Sequence, residues 1–183
     1  DELNGDLLLM ESRNSVRNIT AHLLEKGCTL PGFMGDIGYA QSNRERYEGF
    51  CQALMDAGKT PNPSLCLTTP LGIDSYREEI DSFLSSLSRM PDAFVCASDY
   101  VACILMQLLE KRGLRVPEDV AVSGFDNNIE DLLAENLTTV QVFNEELGSR
   151  LALQILYRIK YPHTPHEVTY LESKVLYRAS TGD

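Results

Sequence analysis

Residues 91–126, PDAFVCASDYVACILMQLLEKRGLRVPEDVAVSGFD, constrain the fold more than any other stretch of the chain. They read as a short apolar strand, a capped helix stopped by Gly113, a proline-pinned entry and a second apolar strand. Two such strands joined through a helix form the unit of a parallel sheet. Ligands of such sheets bind beyond the carboxyl ends of the strands. Both strands end there in polar residues: Ser98 and Asp99 after one, Asp126 after the other. Asp99 reads as the cap of the helix that follows, whereas no helix clearly starts beside Asp126.

The alternation continues on both sides. An apolar run at Leu7–Met10 precedes a helix over about 15–26, with Asn14 as cap and Gly27 as stop. A strand over 30–34 ends at Gly35-Asp36, and a helix over about 43–57 begins with Ser42-x-x-Glu45, a capping-box pattern. A strand follows at 64–69, then a helix over about 75–88 behind Asp74. After the opening unit, a β-rich run covers 138–143 and Asn144 starts a helix to about Lys160. Pro162 and Pro165 end that helix, and 168–177 reads as one closing strand. The fold class is α/β: a mostly parallel sheet flanked by helices on both faces.

Composition excludes several functions. The net charge of −11 argues against this segment gripping a nucleic-acid backbone or an anionic membrane surface. No window approaches the run of about 20 apolar residues of a membrane span. The five cysteines form no CxxC pair and read as free thiols of a reducing compartment, which points to the cytoplasm.

Catalytic motifs do not emerge. There is no GxxxxGK[ST] and no GxGxxG after a strand. Ser123-Gly124 lacks the GxSxG frame of a nucleophile elbow, so Ser123 reads as a small core residue. His163 and His166 stand three apart in a proline-broken loop without a further ligand cluster. The residues indicate no catalytic site, no metal and no cofactor.

The run VPEDVAVSGFDN, preceded by PDAFVCASDYVA and followed by LTTVQVFNEELG, is similar to the effector-binding region of the LacI/GalR family of bacterial transcription regulators. SNRERYEGFCQALMDAG resembles that family's arginine-bearing helix start. The resemblance covers nearly the whole chain, in order and at compatible spacing. It implies a periplasmic-binding-protein-like type I architecture of two α/β lobes, only one of them nearly complete here. By this resemblance residues 12–139 plus 166–183 form the carboxyl-terminal lobe. Residues 1–11 and 140–165 are a remnant of the amino-terminal lobe, and the DNA-binding headpiece lies outside the chain.

The implied function is effector sensing: a small, sugar-like polar molecule modulates operator binding by a homodimer, without catalysis. Operator DNA is a partner only through an amino-terminal domain beyond this segment. The alternatives are a solute-binding receptor for sugar uptake and a sensor fused to another output domain. Arg46 matches the effector-contacting arginine, whose guanidinium fork suits paired oxygens. From the residues alone it reads instead as a helix-surface charge beside Glu45 or Glu48. Asp126 matches the acid that accepts hydrogen bonds from the effector, and Ser42 a hydroxyl lining the cleft. Two positions depart from the family pattern. Ser98 stands where sugar-binding members carry Asn, and Pro70 lies where many place a stacking aromatic ring, for which Tyr39 or Tyr76 is a substitute. Leu147, Leu151, Ile155, Leu156 and Ile159 give helix 144–160 an apolar stripe that calls for a partner surface.

Overall fold

The computed structural model describes residues 5–72, 74–128 and 135–183. Its centre is a four-stranded parallel sheet in the order β3–β2–β4–β5. The strands are β2 (Pro31–Met34), β3 (Cys66–Leu67), β4 (Ala93–Cys96) and β5 (Ala121–Ser123). Pro31 sits at the first strand position, where its missing N–H does least harm. Helices α1 (Arg13–Glu25) and α2 (Gln41–Asp56) cover one face, and α3 (Tyr76–Ser86) and α4 (Asp99–Lys111) the other.

Period-two alternation along β4 divides the core. Phe94 and Cys96 join Ile80, Leu105 and Leu109 on the α3–α4 side. Ala93, Val95 and Ala97 join Val16, Ile19, Phe33 and Phe50 on the α1–α2 side. Gly49 lets α1 and α2 touch, because a Cβ there would meet the Arg13 carbonyl oxygen at 2.2 Å. Gly113, at φ +72°, ends α4 in the left-handed conformation that a side chain would strain.

Beyond β5 the chain runs through β6 (Thr139–Gln141), attached by the bridges Ser123–Thr138 and Asp126–Gln141. β6 pairs antiparallel with β8 (Lys174–Leu176). A separate parallel pair joins β1 (Leu7–Met10) to β7 (Val168–Leu171), and α5 (Asn144–Lys160) packs on β1. Asp6 fastens this corner: Gln154 Nε2 donates to it at 2.9 Å, Arg158 Nε at 3.0 Å and the Glu167 amide at 2.9 Å.

Six local readings need correction. The single closing strand at 168–177 is two strands in two different sheets, because it must leave the β1 pair to reach β6. The strand at 64–69 shrinks to Cys66–Leu67 behind a 3-10 turn at Pro63–Leu65. The Ser42 capping box does not form: α2 starts two residues earlier, with Ala40 at the cap position. Asp99 is not a cap either, since the Ser98 hydroxyl accepts the Val101 N–H at 3.3 Å and Asp99 lies inside the helix's first turn. Asn14 and Asn144 likewise fall within α1 and α5; Glu11 accepts the amides that open α1.

Candidate functional site

Parallel strands put all their following loops on one edge, so the residues after β2, β3, β4 and β5 face a common side. Arg46 reaches that edge from the second turn of α2. Its side chain is buried at 9 % residue exposure, against the surface position that its helical neighbours suggest. One guanidinium nitrogen donates to the Ala97 carbonyl at the end of β4. Nη2 donates to Asp126 Oδ1 at 3.3 Å, and the guanidinium lies 3.6 Å from the Phe125 ring centroid. Its Nε is buried and has no hydrogen-bond partner among the described residues.

Asp126 is held at φ +113° and Asn127 at φ +49°, so the chain turns through unusual backbone to present this carboxylate. The Asp126 amide donates to the Val140 carbonyl at 3.1 Å, tying the turn to the strand beyond β6's start. Burial moves both members of the pair toward their neutral forms. It raises the Asp126 carboxyl against the attraction of Arg46, and lowers Arg46 against the attraction of Asp126 and Asp99. Arginine's very high pKa keeps it charged. The ion pair leaves most of the carboxylate's acceptor capacity for another partner.

The remaining sequence-derived residues are placed as follows. Ser98 adjoins Ala97, the residue whose carbonyl accepts from Arg46, and its hydroxyl caps α4. Ser42 lies one turn before Arg46 on α2 and is half-buried. Pro70 is exposed in the loop after β3, on the same edge at the sheet's outer strand. Arg46 and Asp126 thus come together, while Ser98, Ser42 and Pro70 have no described bond to either of them.

The sequence reading missed the role of Asp99 and the aromatic partner of Tyr76. Asp99, read as a cap, is 1 % exposed and accepts from the Thr139 hydroxyl. Tyr76 and Tyr100 form an edge-to-face pair at 5.5 Å, and Tyr39, 76 % exposed, lies near enough to join Asp36 and Tyr100 in raising the Tyr76 hydroxyl beyond what burial does. Tyr39 and Tyr76 were legible as substitutes for a ring near Pro70, whereas Tyr100, the second residue of α4, was not.

Among the described residues no group of three or more His, Cys, Asp or Glu could hold a metal ion, and no helix is long and apolar enough to cross a membrane. No disulfide joins any of the five cysteines. Two hollows, of about 540 and 370 Å³, lie away from the edge. One sits at the end of α4 around Met106, Leu114 and Val116, the other between α5 and β1 around Asp6, Gln154 and Tyr157.

The model of the periplasmic binding protein-like domain matches residues 20–181, almost the whole chain. The chain belongs to this family. Within the periplasmic-binding-protein-like family its relatives are LacI-type regulators, in agreement with the resemblance of its effector-region motifs. It is 28 % identical over 98 % of its length to the HTH-type transcriptional repressor PurR of Aliivibrio salmonicida (strain LFI1238), covering 54 % of that protein. It is 32 % identical over 79 % of its length to the HTH-type transcriptional regulator DegA of Bacillus subtilis (strain 168), covering 42 % of it. Among solved structures, a complex of the transcriptional regulator CelR with cellobiose superimposes with a TM-score of 0.85 at 26 % identity, covering 98 % of this chain and 55 % of that one. The chain spans about half the length of the curated relatives it matches. Those relatives are regulators of transcription.

Proposed function

We propose that this chain is the larger part of an effector-sensing domain in a LacI/GalR-type transcription regulator. A small polar, sugar-like molecule binds at the Arg46–Asp126 edge and changes operator binding by an amino-terminal DNA-reading domain. The observation that carries the reading is a buried guanidinium clamped between a strand-end carbonyl and a carboxylate with acceptor capacity to spare, at the ligand-binding edge of a parallel sheet. The fork of Arg46 suits paired oxygens, and Asp126 accepts from adjacent hydroxyls. Tyr76 and Tyr100 offer an aromatic surface in place of a ring near Pro70. Ser98 and Ser42 add hydroxyls. The cellobiose complex of a structural relative supports a sugar as the ligand class.

In this reading residues 12–141 and 172–183 make one lobe, and 5–11 with 142–171 belong to the other, since β7 pairs with β1. The sequence reading put the boundary at 166; the β1–β7 pairing supports one between β7 and β8 instead. The effector is gripped between the lobes, and an open half-cleft encloses little volume by itself. Helix α5 has no buried residue, with Ile155 54 %, Leu156 63 % and Ile159 73 % exposed. An exposed helix without any contact would contradict this division; α5 is exposed but anchored to β1 through Asp6. The rest of its lobe, or the second protomer of a homodimer, covers its apolar stripe. Five cysteines without a disulfide fit a cytoplasmic regulator better than a secreted receptor.

Operator affinity of the full-length regulator, followed by fluorescence anisotropy with and without candidate sugars, tests the reading. A shift of roughly 5–150-fold with one ligand is expected for such coupling. A full-length protein that binds sugar but no DNA would establish the receptor instead.

A further inference from the structure

Asp99 is 1 % exposed, against 9 % for Asp36 and Arg46 on the same edge. Its carboxylate accepts the Thr139 hydroxyl of β6 and lies close enough to the Asn127 and Asn128 amides for both to favour its charged form. Its own amide donates to the Phe125 carbonyl at 2.8 Å. Gly124 is bare to admit it, because a Cβ there would lie 2.2 Å from Asp99 Oδ1. Every bond of this side chain therefore ends on the turn that carries Asp126 or on the strand that leaves toward α5.

We propose that Asp99 is a positioning residue: by gathering the Asn127 and Asn128 amides and the Thr139 hydroxyl, it holds the left-handed turn that aims Asp126 at Arg46 and joins that turn to β6. This rests on the effector reading of the Arg46–Asp126 pair and adds the group that sets its geometry. Without an anion behind them, two amides at the crest of a turn with φ of +113° and +49° lose the partner that compensates the strained backbone. The charged or titratable groups facing Asp99 are Asp126 on the turn, Arg46 on α2 and Cys96 at the end of β4; β6 presents the neutral Thr139. Burial pushes the Asp99 carboxyl up to about 6, with Asp126 adding to the rise and the three donors opposing it. Protonation near pH 6 therefore weakens the acceptor that organises the turn.

Nuclear magnetic resonance titration of the chain tests this without any effector. The Asn127 and Asn128 amides and the Arg46 Nε–H are expected to move together with a midpoint near pH 6, and to stop moving in that range in Asp99→Asn. Thr139→Val removes one donor to the charged carboxylate and should raise the midpoint while keeping the fold, should Asp99→Asn fail to fold. Amides of 127 and 128 that ignore the ionisation of Asp99, or that titrate unchanged in either variant, would overturn the proposal. Arg46→Ala separates this from the effector reading: it removes the effector's cation, while Asn127 and Asn128 still titrate, with the midpoint moved up.

Discussion

The two ends of the chain's fold contrast sharply. Around the central sheet, Phe33, Phe50, Phe94 and Phe125 are fully enclosed, with helices on both faces. Around β1, β7 and α5 no helix residue is buried, and cohesion comes from polar bonds that converge on Asp6. The difference teaches that the first region buries its own core while the second leaves an apolar helix face exposed among the described residues, as the proposed two-lobe division expects. The Arg46–Asp126 pair sits in the first region.

That contrast can be broken most decisively by core truncation. Phe50→Ala should cost about 3–5 kcal/mol in urea unfolding, since it opens a cavity among Phe33, Tyr47 and α1. Equal losses from Leu156→Ala would show that α5 is as firmly packed as the sheet.

Next in size is a pH effect at Asp99. Its folded pKa of about 6 lies above the ordinary carboxylate value of 3.8, so the folded chain holds the proton more tightly than the unfolded one. Stability contributed by its neutral form is present at low pH and lost as pH rises through 6. Asp99→Asn should therefore gain stability relative to the parent by on the order of 1–3 kcal/mol between pH 4 and pH 8. A constant difference across that range would place the titration elsewhere.

Removing the α4 cap with Ser98→Ala should cost about 1 kcal/mol, read from the same unfolding curves. Smallest of all, Ile155→Ser or Leu156→Ser on α5 should leave the isolated chain's stability within about 0.5 kcal/mol while improving its solubility. A large loss would mean that the helix has a buried partner within the chain.

Most of the sheet was legible in the sequence because its strands are short apolar runs set between helices with glycine stops, as at Gly27, Gly58 and Gly113. Helix starts were less so. Ser42-x-x-Glu45 carries the local capping signal, yet α2 begins at Gln41, two residues early, and carries Arg46 into the edge, where tertiary contacts outweigh the cap. The closing strand was read as one because nothing in 168–177 signals that its halves pair with β1 and β6, segments about 160 and 35 residues away in sequence. Asp126 was legible as a polar residue just past a buried strand, whereas Arg46 was found only through motif resemblance, since the bare pattern of α2 gives an arginine between two glutamates. Asp99 was misassigned because a carboxylate at a helix start is most often a cap, and only the fold brings Gly124 and Thr139 against it.

The account stands or falls on whether Arg46 and Asp126 jointly hold an effector. Thermal-shift measurements on the full-length regulator, across sugars, nucleobases and amino acids, should find a ligand that raises the melting temperature. Arg46→Ala and Asp126→Ala should each abolish that rise. A ligand that stabilises both variants as strongly as the parent would contradict it.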